Sequence, residues 1–454
     1  MLFRSGASGL SAAFAHTATL DVPLQLTAAQ TWNVAEGGVV SVKKLVSSDA
    51  PWALTKTGAG TLALRSPSSF TGDFTVNNGT VEVYAPTNAF GSGAVTFVER
   101  TEAKTTLSKV AFKENTTVAN PFTFKYYTSL ADGISVADGK TVYFTAPVSF
   151  TTARSAASWC DGTVLLSNGG QMVFSNGLDT VYLTVNSTGS LESRFAARTL
   201  PMAAQRTFYL KNTVVLELGA AGNTFTNAVV LNGWKTGLDF GADWAISNSL
   251  CSVYTGTSVS WRNWIRLNGH SQQVGTFYTR SGDSGTIESQ TPAMWNFMAP
   301  SGGTTNATVK FTGFAGLGLY GGGTYAINCA MTSKGDVDVS GGTLEFLSGG
   351  SWLNGTNLTV RGTGVLKTAS SNTFAETTIL RVDSNLGAKV VLADGVEQKV
   401  RHMFLDGTEM RRGLYGGANA PVPESNRLSC FDSSSTGVIR VMRCSSEGMT
   451  LILR

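Results

Sequence analysis

The chain has 454 residues, with 34 Lys and Arg against 30 Asp and Glu, a formal charge of +4 and only 14% charged residues. That is well below the roughly 25% of an average globular protein, and no basic tract exists that could neutralise a run of phosphates, which excludes nucleic acid as a natural partner. The 51 glycines and 42% hydrophobic residues describe a foldable chain of short strands and tight turns, and no apolar run approaches the ~18 residues of a membrane-spanning helix.

In chain order, residues 1–17 carry Arg4 and end in Ala13-Phe14-Ala15, the outline of a signal peptide. Gly6, Ser8, Gly9 and Ser11 interrupt its apolar region. The better reading is a chain that begins inside a repeat, as part of a longer precursor. Strand-like runs follow at Val39–Val42, Phe74–Val76, Val181–Val185, Val214–Leu218 and Thr450–Leu453. Each is short, β-branched and bounded by Gly, Asn, Asp or Ser, and helical periodicity is nearly absent.

The strongest signal is a repeated phrase. Gly60-Thr61-Leu62-Ala63-Leu64 returns nineteen residues later as Gly79-Thr80-Val81-Glu82-Val83, and variants begin at Gly162, Gly342, Thr363 and Thr436. A second phrase, Ser69–Val76, returns at Thr224–Leu231 and Thr373–Leu380. A period near twenty that holds two or three strands predicts an all-β fold, a parallel β-helix built as a single solenoid of about 20 residues per coil and roughly twenty coils. Stacked coils satisfy each other's edge hydrogen bonds, and Leu62, Leu64, Val81 and Val83 are expected inside, with Ala63 and Glu82 facing out. A sandwich would instead show hairpin signals every 8–12 residues. The predicted organisation is N-terminal coils over 1–100, irregular coils with protruding loops over 101–300, and C-terminal coils with an end cap over 301–454.

Residues 54–83 resemble the autotransporter-associated β-strand repeat of large secreted bacterial passenger proteins. Lys56, Gly58, Gly60, Leu62, Leu64, Thr71, Gly72, Asn78, Gly79 and Thr80 carry the likeness. The phrases at 26–34, 267–277 and 405–417 are similar to segments of the same proteins. The resemblance implies a right-handed β-helix, secreted or displayed on a bacterial surface. Autotransporters end in a membrane β-barrel; here repeat-like strands run up to Arg454, so the chain reads as a passenger segment or as a secreted relative exported by another route.

Chemistry-bearing motifs are sparse. Gly316-Leu317-Gly318-Leu319-Tyr320-Gly321 fits G-x-G-x-x-G, but a strand-like run follows it where a dinucleotide site needs a helix N-terminus, so it reads as a turn cluster. The five cysteines, at 160, 251, 329, 430 and 444, form no CxxC, so neither zinc nor any other metal is expected. Cys430 and Cys444 either bridge adjacent strands or, as favoured here, are buried free thiols. No cofactor is expected. The carboxylate pairs Asp336/Asp338 and Asp239/Asp243 are the acidic candidates for polysaccharide cleavage, with solvated turn or outer-face positions as the favoured alternative. The three histidines lack a nucleophile-elbow context, and His402 reads as a structural residue. No catalytic residue is assigned.

Trp234, Trp244, Trp261, Trp264 and Trp295 crowd the irregular middle. They are the candidates for stacking on a glycan or anchoring a partner, against the alternative that they plug wide coils. The resulting expectation is an adhesin-like or structural scaffold without chemistry of its own, whose partners would be glycans or host and cell-surface components. The rival is a β-helical lyase or glycoside hydrolase, recognisable by a groove in which carboxylates, or a carboxylate and a cation, converge.

Overall fold

The computed structural model describes residues 3–5, 8–98, 108–126, 133–152, 163–176, 178–197, 202–225, 228–233, 235–246, 252–255, 263–279, 285–299, 304–307 and 309–445. The chain forms two compact units, Met1–Ala245 and Ile246–Arg454. Both are parallel β-solenoids, and among the described residues they comprise about 14 turns of about 22 residues each. The only helical segments there are two single 3-10 turns, Ser384–Leu386 and Glu424–Asn426, and no described helix is long and apolar enough to cross a membrane. The turns are longer than the repeat alone suggests, because many of them carry extra residues between strands.

In the first unit each short strand lies between its counterparts one turn before and one turn after. Thr61–Leu64 pairs with Val39–Ser47 on one side and Gly79–Val83 on the other, setting Leu62 beside Val81 and Leu64 beside Val83. These four side chains are buried, as the period of two requires. Ala63, expected outside, is also buried. It sits in a register column between Ser41 and Glu82. Two positions on, Arg65 reaches back to Ser41 Oγ (3.0 Å) and Tyr84 to Glu82 (2.9 Å). Arg65 also lies over the Tyr84 ring at 3.8 Å. Long outer side chains thus roof a methyl group that faces outward.

Stacking in register also decides the core. Phe97, Phe124 and Phe150 are register partners on three successive turns, and their rings stack at 5.0 Å with interplanar angles of 20° and 17°. Phe144 and Phe174 repeat the arrangement at 5.2 Å and 10°. The strand spacing of about 4.8 Å sets these distances, and such pairs contribute on the order of 1 kcal/mol beyond the area they bury.

In the second unit Lys310–Tyr320 pairs with Thr286–Met298 before it and with Val337–Val339 after it, and the column continues through Asn357–Val360, Ile379–Val382 and His402–Leu405. A second column runs from Thr304–Ala307 through Thr324–Ile327, Thr343–Phe346 and Val365–Thr368 to Lys389–Leu392. Parallel pairing stops near the end. His402–Leu405 and Thr408–Glu409 form a hairpin, and Gly413–Gly416 runs antiparallel to Val438–Val441. Cys430 and Cys444 are buried and not joined by a disulfide, and burial pushes the Cys430 thiol up to about 12.

Phe124 is fully buried in the middle of its stack. Phe124→Ala is expected to cost about 3–5 kcal/mol, read by urea unfolding of the intact chain, whereas Phe124→Leu should cost clearly less because it refills most of the cavity. Equal losses for the two variants would show that the ring stack is not what holds these turns.

Candidate functional site

Three of the five tryptophans fall among the described residues, and they differ in burial. Trp234 and Trp261 lie outside the described residues. Trp295 is fully buried within Thr286–Met298 and meets Phe277 edge-to-face at 5.6 Å, so it fills the core and offers no ring to a ligand. Trp264 is half-buried, with the Arg266 guanidinium 4.8 Å over its ring. Trp244 is 45% exposed and held at φ 54, a left-handed conformation costly for a bulky residue.

The acidic candidates are engaged by neighbours. Glu217 and Asp239 are register partners, and both accept from the same Arg194 nitrogen at 3.1 Å, while Glu192 takes the other end of that guanidinium. Glycoside cleavage needs two carboxyls in contrasting surroundings, one protonated and one charged; these two share one cation. Asp243 is exposed on a turn. Asp338 forms a bidentate pair with Arg361 at 3.0 and 2.7 Å, and Asp336 accepts from Asn357 Nδ2 at 2.9 Å.

His402 Nδ1 lies 2.7 Å from Glu409, which also takes the backbone N–H and the hydroxyl of Ser445. Those hydrogen bonds, the hydroxyl's first, hold the Glu409 carboxyl down to about 2. The Ser445 hydroxyl thus donates its hydrogen bond to the Glu409 carboxylate. The glycines of the G-x-G-x-x-G match also lie differently from the expected turn cluster. Gly316 and Gly318 are inside the strand Lys310–Tyr320, Gly321 makes the corner, and the next element is the strand Thr324–Ile327. Among the described residues no group of three or more His, Cys, Asp or Glu is placed to hold a metal ion.

One concave feature does bring side chains together. A groove of about 440 Å³ on the second unit is lined by Phe314, Lys334, Asp336, Asn354, Thr356 and the bulge before Met294. The strand Thr286–Met298 slips register between Ser289 and Ala293 against Lys310–Tyr320, leaving Gln290, Thr291 and Pro292 exposed. Opposite the slip, Gly313 takes φ +63, and a Cβ there would lie 2.2 Å from the Ser289 carbonyl oxygen. The next residue, Phe314, is 38% exposed, and the Lys334 ammonium lies 5.7 Å from its ring centroid.

Sequence reasoning passed over Phe314, Lys334 and Asn354, yet a signal was present. Phe311, Ala315, Leu317 and Leu319 are buried odd-numbered positions of one strand, and Met331, Ser333, Gly335, Val337 and Val339 continue the parity. Phe314, Lys334 and Asp336, on even numbers, therefore face outward together.

The segment carrying the clearest repeat has its own geometry. Lys56 occupies an inward position in register with Trp32 and Val76 and has no exposed surface. Its ammonium donates to the carbonyls of Thr57 (3.2 Å), Gly58 (2.8 Å) and Asn78 (2.9 Å), tying one corner to the corner of the following turn. Gly79, at φ +75, must lack a side chain, because a Cβ would stand 2.4 Å from the carbonyl oxygens of Gly58 and Gly60 and 2.6 Å from the Lys56 amine. A lysine, two corner glycines and an Asn-Gly-Thr one turn on are thus a single steric unit.

Residues 54–83 match the passenger-associated-transport-repeat family. No curated protein and no solved structure matches the chain. The match spans the whole Lys56 unit, from the strand Leu54–Thr57 to the strand Gly79–Val83.

Burial pulls the Lys56 ammonium from 10.5 down to about 8. Below pH 8 the lysine is charged in both folded and unfolded chains, and the full burial penalty applies. Between about 8 and 10.5 the unfolded chain holds more protons, so folding stability gains from this group as pH rises. The unfolding free energy of the native chain relative to Lys56→Met is expected to climb between pH 8 and 10 and then level off, measured by urea unfolding at fixed ionic strength. Gly79→Ala should lose more than about 1 kcal/mol at any pH, from the positive φ and the clash.

Proposed function

We propose that the chain is a passenger-like β-solenoid, secreted or displayed on a bacterial surface, that works as an adhesin or a binding and structural scaffold. The observation that carries this reading is the passenger-associated-transport repeat at 54–83, set within parallel solenoid turns whose corners it builds. A passenger needs a fold that can be completed turn by turn, each new turn pairing with the one already formed, and parallel stacking supplies that. The low charge and the turn-rich composition suit a surface protein that offers many shallow outer faces.

On this reading the working surfaces are outer faces where regular stacking relaxes, and the ligands are glycans or host and cell-surface components. Trp244, exposed and held in a left-handed conformation, and Trp264, partly exposed beneath Arg266, are the binding candidates among the described tryptophans. Polysaccharide cleavage is the competing activity; it is weakened by the shared Arg194 contact of Glu217 and Asp239 and by the bidentate Arg361 pair of Asp338.

Two measurements test the proposal. Antibodies to the purified chain should label intact cells of the source bacterium or recover the protein from its medium, and signal confined to the lysate would overturn the passenger reading. Incubating the purified chain with plant and bacterial polysaccharides should leave their length distribution unchanged by size-exclusion chromatography. Release of shortened or unsaturated products would replace the scaffold with an enzyme.

A further inference from the structure

We infer that the groove around Phe314 is a binding site for an uncharged pyranose unit of a glycan, which stacks on the Phe314 ring and has its hydroxyls held by Lys334, Asp336 and Asn354. The inference deepens the scaffold reading and rests on it. Three independent features converge on this ligand class.

The first is the ring. Phe314 is among the few large apolar side chains exposed on the second unit among the described residues, and it faces the groove beside a cation. An aromatic face in water gains most from a partner that is itself apolar on one side. A pyranose has such a side, its axial C–H surface, and a rim of hydroxyls around it.

The second is the set of unused polar atoms. Lys334 bonds through its backbone N–H to the Gly313 carbonyl, but its ammonium has no hydrogen bond or ion pair among the described residues. Asp336 spends Oδ1 on Asn357 Nδ2, leaving Oδ2 open. Asn354 spends Nδ2 on the Thr332 carbonyl, leaving Oδ1 open. A carboxylate and an amide oxygen accept while an ammonium donates, and each sugar hydroxyl can do both. Phe314, Lys334 and Asn354 come from three successive turns, and parallel stacking at a strand spacing of about 4.8 Å brings all three to the lining of one groove.

The third is charge. Lys334 and Asp336 lie two positions apart on one outer face, one cation beside one anion. An anionic sugar or a phosphate would meet the Asp336 carboxylate, and a cationic ligand would meet Lys334. A neutral ligand with both donors and acceptors meets neither penalty. The volume of about 440 Å³ lies within the range of small-ligand sites.

The test is a calorimetric titration of the intact chain with a panel of uncharged hexasaccharides (gluco-, manno-, galacto- and xylo-linked) and, as contrast, a galacturonate hexasaccharide. At least one uncharged hexasaccharide is expected to bind. Phe314→Ala and Asp336→Ala should each weaken it tenfold or more, and Leu386→Ala, at an exposed position outside the groove, should leave it unchanged. All three positions are at the surface, and unchanged melting temperatures establish that the variants fold. Binding that survives Phe314→Ala overturns the groove assignment while leaving the scaffold reading intact. Tighter binding of the galacturonate, abolished by Lys334→Met, overturns the uncharged class. Failure of every uncharged hexasaccharide overturns the proposal, whereas failure of the scaffold reading would show separately, in the surface-labelling experiment.

Discussion

The structure of each unit depends on backbone hydrogen bonds that run between turns. A strand of three to five residues has no stability of its own, and its N–H and C=O groups are satisfied only by the strand one turn away. Thr61–Leu64 is held by Val39–Ser47 and holds Gly79–Val83; no hairpin partner exists for it. Because these pairs are parallel and in register, each side chain is set above the corresponding side chain of the previous turn. Everything else follows from that column rule, including the stacked Phe97, Phe124 and Phe150 rings and the glycine that must sit beneath the corner carbonyls.

The same rule explains what may vary. A strand must find its partner, but the chain between two partners can take different lengths. Val110 lies beside Ile134, twenty-four residues on, and Ile134 beside Val164, thirty residues on. Neither insertion disturbs the buried columns. Departures from the ladder appear where a strand bulges, as at 290–292 opposite Gly313, and it is there that an aromatic ring and unpaired polar atoms come together. Regular stacking leaves polar side chains paired along the outer face, as Asp338 is with Arg361, so a ligand site requires an interruption.

Much of this was legible in the sequence, and the misses have physical causes. The alternation of Leu62, Leu64, Val81 and Val83 follows from the period of two, and the nineteen-residue echo is the register offset of Thr61 and Thr80. Ala63 escaped the same logic because its burial comes from Arg65 and Tyr84, which arch over the column, and no local pattern records that. The described tryptophans lie near one another in sequence, but the local backbone decides the burial of each. Ala293, Trp295, Phe297 and Ala299 alternate inward as one buried run, while Trp244 is turned out by its own backbone conformation. Phe314 stood in plain view as the even-numbered member of an odd-numbered core strand. The Lys334 and Asp336 that join it become neighbours only through the turn length, which strand patterns do not specify.

Lys56 shows why a solenoid keeps a polar group in its core. The second unit builds the same corner without it: Gly321, Gly323 and Gly342 stand where Gly58, Gly60 and Gly79 do, a Cβ on Gly342 would lie 2.6 Å from the carbonyl oxygens of Gly321 and Gly323, and the residue at the lysine position is Leu319. The corner itself therefore does not require an ammonium. What the lysine adds is discrimination between registers. A strand displaced by two residues against its neighbour would still put apolar side chains inside, since the pattern repeats every two. The displaced Lys56 would keep the local carbonyls of Thr57 and Gly58 but lose that of Asn78 on the following turn while remaining buried, a costlier outcome than a mispacked leucine. In a fold made of near-identical strands, where slipped pairings are the nearest competitors of the correct one, a buried cation with one acceptor on the following turn distinguishes the correct alignment from its neighbours.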